Sequence, residues 1–219
     1  KRIEELFRTD ALSVLVATSA FGEGVDIPNI RHVVLYHMPF NAVEFNQMSG
    51  RAGRDGKPAW VHLLFGRADT RINEGILADM TPDHDCLAQV YRCLRMLQRQ
   101  SGEEFFALSN LDLARLSSQH FHEVRPASAA CGIAVFRELG LVETRTTYVM
   151  GEATRSVHVV DVKSKVELTD SVRYREGLGE QEIYHTFRDW VMDSDASSLH
   201  ARVSRPILPK QAGEGEKRS

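Results

Sequence analysis

Apolar positions change their spacing along the chain, and each change predicts an element. Ile3, Leu6 and Phe7 share one face with charges opposite, so the residues up to Asp10 read as the end of a helix. Residues 12–17 hold the short apolar run Val14 to Ala17, suited to a buried parallel strand. Val33-Val34-Leu35, within 31–36, predicts a second strand that His37-Met38-Pro39 breaks, and 60–65 predicts a third. Asn41 stands where an N-cap belongs for a helix through Ser49.

Residues 67–80 are charged and predict a helix. Thr81-Pro82 reads as an N-cap and first-turn proline for a longer helix to about Gln100, which Ser101-Gly102 stops. Its inner face is Leu87, Val90, Tyr91, Leu94 and Leu97. Beyond it, Phe105 to Leu108 is a short hydrophobic piece, Ser109-Asn110 caps a helix over 111–117, and Pro126 starts another. That helix turns Ala129, Ile133, Phe136 and Leu139 inward and Arg125, Ser128 and Arg137 outward, and Gly140 ends it. Strands over 142–150 and 155–162 flank a hairpin turn at 151–154. Asp170-Ser171 then caps a short helix through Gly177, and Glu180 to Met192 places Ile183, Phe187, Trp190 and Val191 on one stripe. A helical turn over 196–203 follows, and Arg205-Pro206-Ile207-Leu208-Pro209 ends the folded part. The expected divisions are 1–80, 81–165, 166–209 and a Gly-, Glu- and Lys-rich disordered tail, 210–219.

Composition narrows the function classes. The 219 residues carry a net charge of -3, so contact with nucleic acid needs a local basic face. No run is long enough to cross a membrane, and no signal-peptide pattern opens the chain. Three cysteines without a Cys-x-x-Cys suit a reduced, cytoplasmic setting. Arg92, Arg95 and Arg99, at helical spacing, read either as a solvated face or as a basic stripe beside DNA. His120 and His122 lie near Glu123 but lack further ligands, so no metal site is expected.

The chemistry concentrates in Gln47-Met48-Ser49-Gly50-Arg51-Ala52-Gly53-Arg54-Asp55-Gly56. Glycine lets a backbone approach a ligand closely, and arginine brings a planar fork of donors that fits phosphate oxygens. Three residues apart at a helix end, two guanidinia can aim at one polyphosphate. Earlier, Val16 to Asn29 contains an apolar run followed by the glycine-rich turn Phe21-Gly22-Glu23-Gly24-Val25-Asp26, at the strand end where open α/β sheets bind ligands. Asp26 can accept from a ribose hydroxyl, and Thr18 can donate to a DNA phosphate. Either stretch alone is also satisfied by a turn that closes a βα unit beside an exposed arginine pair.

In order, the two stretches resemble motifs V and VI of superfamily 2 helicases, and Ala-Gly-Arg-Asp-Gly resembles the RecQ branch. The resemblance covers about the first third of the chain and implies part of a second RecA-like domain, with motifs V and VI. It implies that Arg54 is the finger on the γ-phosphate of ATP, with Arg51 beside it, and that Gln47 senses the nucleotide. Gly24, Asp26 and Gly50 would be nucleotide-binding positions, and Thr18 would hold the DNA backbone. ATP and Mg²⁺ are the implied cofactors. The phosphate loop and Asp-Glu box belong to a first RecA-like domain and are missing, so the chain reads as an inactive fragment of a longer protein.

Residues 105–162 resemble a winged helix, which RecQ helicases carry after their RecA-like pair. Arg125, Arg137, Arg145, Tyr148 and Arg155 are then the expected contacts to single-stranded or forked DNA; packing of protein on protein is the other reading. The four-cysteine zinc module of that family is not readable here. Asp170 to Gly177 and Arg205 to Pro209 are similar to the C-terminal end of RecJ-type exonucleases. Two functions follow: the C-terminal part of an ATP-dependent DNA helicase in recombination and repair, or a DNA-binding or docking module of a RecJ-type single-strand exonuclease with idle helicase motifs. An RNA helicase is a third reading; the Asp-Gly after Arg54 and the winged helix favour DNA.

Overall fold

The computed structural model describes residues 2–18, 27–118, 123–149, 152–162 and 164–203. In chain order the elements are α1 (Arg2–Arg8), β1 (His32–Leu35), α2 (Ala42–Ser49), β2 (Trp60–Leu63), α3 (Thr70–Met80) and α4 (His84–Ser101). Then come β3 (Phe106–Ala107), α5 (Asn110–Ser117), α6 (Pro126–Glu138), β4 (Val142–Val149), β5 (Glu152–Val159), α7 (Val172–Asp193) and α8 (Ala196–Val203). The fold is mixed α/β. It divides into two compact units: residues 1–70 with 184–219, and residues 71–183. The expected boundaries at 80, 165 and 209 differ from this grouping, which places the second half of α7 with the first unit.

The first unit is built on a βαβ turn. β1 and β2 pair in parallel from His32↔Trp60 to Leu35↔Leu63, and α2 is the crossover between them. Asn41 caps α2 as its sequence position predicts: Oδ1 accepts from Glu44 N at 2.9 Å, while Glu44 Oε2 accepts from Phe40 N at 2.7 Å. Leu35, Met38, Phe45, Tyr184, Phe187 and Val191 are buried. The Phe45 ring lies 5.9 Å from Phe187 and 6.3 Å from Trp190. Tyr184 is wholly buried and keeps its hydroxyl bonded, donating to Thr70 O at 3.1 Å.

One expected strand is corrected. Residues 12–17 form no strand, and Val14 and Val16 are 76% and 92% exposed. A strand exists through its ladder, and among the described residues β1 pairs only with β2. An apolar run without a neighbouring strand has nothing to specify it.

The second unit packs helices on a three-stranded sheet of order β3-β5-β4. Leu87, Val90, Leu94, Leu113, Ala129, Ile133, Phe136, Val142 and Val157 make its core. α4 approaches α6 closely at Gly132, where a Cβ would meet Leu87 and Val90 at 3.3 Å. Ser109 caps α5, Pro126 opens α6, and Gly102 and Gly140 take positive φ beyond α4 and α6.

Four local expectations shift. The N-cap of α4 is Asp83, whose Oδ1 accepts from Cys86 N at 2.8 Å. Thr81 instead closes α3, with its N–H on Leu77 O. The hairpin register runs from Val142↔Val159 to Val149↔Glu152, so Glu152 to Thr154 are strand rather than turn. The two helices expected over 170–192 are one, α7. It runs through Gly177, where glycine is required for space, since a Cβ would stand 1.8 Å from Thr81 Oγ1. Along α7, Ile183 is 57% exposed and Tyr184 takes the buried position. The tail 210–219 and Arg205 to Pro209 lie outside the described residues, as does the His120/His122 pair.

Among the described residues no helix is long and apolar enough to cross a membrane, and no three His, Cys, Asp or Glu side chains cluster as metal ligands.

Candidate functional site

The arginine-glycine stretch begins on the last turn of α2. Gln47 is exposed on that helix. Gly50 ends it with its N–H on Asn46 O at 2.8 Å. Arg51 is half-buried and Arg54 exposed, both on the turn that follows. Arg54 Nε donates to Gly50 O at 3.2 Å, which folds the turn back on the helix end. The sequence places both arginines on a helix end; the structure puts them just past it.

This turn is fastened to the segment leading into β1. Gly53 N donates to Ile30 O at 3.0 Å, and Asp55 N donates to Pro28 O at 3.1 Å. Gly53 has φ 63°, and a Cβ there would meet Lys57 O at 2.8 Å and Ala59 Cβ at 3.0 Å. Glycine is therefore required by conformation and by space. Arg31 locks the arrangement. Its Nη2 meets Asp55 Oδ1 at 2.6 Å, its Nη1 donates to Pro58 O at 3.0 Å and its Nε to Asn29 O at 3.0 Å. Hydrogen bonding from Arg31 holds the Asp55 carboxyl below its ordinary 3.8, helped by Lys57 N.

The end of the motif V stretch, Pro28-Asn29, and motif VI, Gly53 to Asp55, are thus brought into contact. Gly24 and Asp26 lie outside the described residues. Thr18 is exposed on a segment that is not a strand. Arg31 is the organising residue that sequence reasoning missed. An arginine before a strand carries no local signal, because its partner is far along the chain.

The expected DNA contacts separate into two groups. Ser128 does not face outward as expected, and Arg125, though exposed, is paired within the fold. Arg125 Nε meets Asp79 Oδ1 at 2.8 Å and its Nη2 donates to Gly75 O at 3.0 Å. Ser128 is buried and donates to the same Asp79 oxygen at 2.7 Å. The α6 N-terminus is therefore tied to α3. Arg155 is half-buried, with Nη2 donating to Asn110 Oδ1 at 2.6 Å, and burial lowers its pKa. Arg137 and Arg145 are exposed, and Tyr148 is 75% exposed. Arg92, Arg95 and Arg99 lie on an exposed face of α4, and Arg95 reaches Asp161 at 3.7 Å. The three cysteines are free; Cys93 is buried, and burial raises the pKa of Cys86 and Cys131.

Comparison with known proteins gives the class first. The helicase conserved C-terminal domain family matches residues 1–56. Individual relatives give the branch. The probable ATP-dependent DNA helicase RecS of Bacillus subtilis (strain 168) is 39% identical over 98 residues, 45% of this chain and 20% of that protein. ATP-dependent DNA helicase RecQ of the same organism is 28% identical over 180 residues, 82% of this chain and 26% of that protein. A putative ATP-dependent DNA helicase Q1 of Caenorhabditis elegans is 48% identical over 58 residues, 26% of this chain and 9% of that protein. Residues 1–56 match a helicase C-terminal domain, and the relatives similar to this chain include RecQ-like helicases. The likeness to RecQ reaches well past the first third of the chain, and the chain spans about a quarter or less of these relatives' lengths.

Proposed function

We propose that this chain forms the C-terminal part of a bacterial, cytoplasmic ATP-dependent DNA helicase of recombination and repair. It would supply the arginines that act across the nucleotide cleft from a first RecA-like domain. ATP, with Mg²⁺ held by that first domain, supplies the phosphoryl bond whose hydrolysis drives movement on DNA. Arg54, with Arg51 beside it, stabilises charge on the γ-phosphate as that bond breaks. Gln47 senses the nucleotide, and Gly24, Asp26 and Gly50 line its cleft, while Thr18 holds the DNA backbone. The observation that carries this reading is the fastening of Gly53 to Asp55 onto Pro28 to Arg31, which sets both arginines on a rigid turn. Their donor chemistry fits a polyphosphate.

Residues 105–162 support a winged-helix reading, with Arg137, Arg145 and Tyr148 as the surface offered to DNA. Arg125 and Arg155 serve the fold of that unit.

The test is ATP turnover with single-stranded DNA in the chain joined to a first RecA-like domain. Arg54→Ala is expected to lower kcat by roughly 10³ or more with little change in ATP affinity. An unchanged kcat would remove Arg54 from the γ-phosphate.

A further inference from the structure

The pleat of the β3-β5-β4 sheet gives it two unlike faces. Val142, Val157 and Val159 point into the core. On the opposite face the register sets Glu143 beside His158 and Arg145 beside Ser156. Phe105, just before β3, joins this face, with its ring 5.3 Å from that of His158. The guanidinium carbon of Arg145 lies 3.8 Å from the centre of the Phe105 ring. His158 Nδ1 is 2.7 Å from Glu104 O. A carbonyl only accepts, so Nδ1 carries the proton and the imidazole is held in one orientation.

We propose that the exposed part of this face, around Arg145, is a stacking platform for single-stranded DNA, on which a base lies against the Arg145 guanidinium. The ligand class rests on the helicase reading above; the placement rests on the sheet. Arg145 is exposed, and among the described residues it has no carboxylate partner. The guanidinium carbon stands over the Phe105 ring, and the exposed guanidinium can take a π-face against it. The neighbouring charges select the form of DNA. Glu103, Glu104 and Glu143 are exposed around the stack, and they repel the paired phosphate rows of a duplex. A single strand can lay an unpaired base on the guanidinium, which the paired and stacked bases of a duplex cannot do.

The experiment is fluorescence anisotropy of the whole chain with a labelled oligothymidine and with a duplex of equal length, at several salt concentrations. The single strand is expected to bind more tightly, with log K falling against log salt at a slope near -0.7, as for roughly one phosphate contact. Arg145→Ala and Phe105→Leu should each weaken binding about tenfold or more. Arg145→Lys keeps the charge and loses the plane, and should weaken it nearly as much. Circular dichroism checks that each variant keeps its fold, and exposed Arg145 supplies two variants that do not disturb the core. Full rescue by lysine, a preference for duplex, unchanged binding by Arg145→Ala, or no binding by the parent chain would each overturn the platform. None of these outcomes bears on Arg54, whose test reads ATP turnover.

Discussion

Arg31 Nη2 stands 2.6 Å from Asp55 Oδ1, an ion pair that spans 24 residues of sequence and closes the turn carrying Arg51 and Arg54. Both side chains are partly solvent-accessible, at 31% and 21%. The pair's value lies in where it holds the backbone, since Arg31 also binds the carbonyls of Pro28, Asn29 and Pro58.

Its pH dependence has a definite sign. The folded state holds Asp55 below its ordinary 3.8, so the stability it contributes is fully present above that value. It is lost as pH falls through the lower, folded value. Asp55→Asn should therefore melt below the parent chain by a constant margin near neutrality, and that margin should shrink under acid. Melting curves from neutral pH to about pH 3 check this; a margin that does not change across the range would refute the assignment.

Gly53 and Gly56 separate strain from crowding. Both have positive φ, 63° and 76°, but a Cβ on Gly53 meets Lys57 O and Ala59 whereas one on Gly56 meets open space. Gly56→Ala should cost about 1 kcal/mol from the left-handed backbone alone. Gly53→Ala should cost more, about 2–3 kcal/mol. Denaturant midpoints rank the two, and an equal loss would show that the turn relaxes around the added methyl.

Phe45→Ala should remove about 3–5 kcal/mol, because the ring is 1% exposed against Phe187 and Trp190. The Trp190 emission should shift to the red as its surroundings open to water. A stable variant with unshifted emission would mean that α2 and the second half of α7 do not pack as described.

Arg125 and Ser128 share one carboxylate, Asp79, whose side chain is 17% exposed. Arg125→Ala and Ser128→Ala should each cost about 1–3 kcal/mol, and the double change less than their sum. DNA affinity per folded molecule should stay at the parent value for Arg125→Ala. A large loss of affinity without loss of stability would return Arg125 to the DNA surface.

The sequence by itself determined what is encoded within a few residues. Asn41 and Ser109 are caps, Pro126 opens a helix, and Gly102 and Gly140 close helices, because capping is local hydrogen bonding and local backbone freedom. The apolar face of α4 is local in the same sense, with Leu87, Val90 and Leu94 buried at helical spacing. The arginine-glycine run was recognisable too, since its residue types and spacing lie in one stretch, and it falls within the match to a helicase C-terminal domain. The tertiary structure decided whatever depends on a distant partner. Residues 12–17 are apolar enough for a strand, but strand formation needs a neighbour. Thr81 and Asp83 are both able to cap, and Thr81 is claimed by α3 and by Gln181, whose Nε2 donates to Thr81 O at 3.0 Å. Gly177 reads as a helix end from composition, yet α7 continues through it, and the residue is glycine because Thr81 leaves no room for a side chain. Arg31, Arg125 and Arg155 look alike as exposed cations in sequence. Each takes its role from an acceptor elsewhere in the chain, Asp55, Asp79 or Asn110, and a charge has no period that would announce its partner.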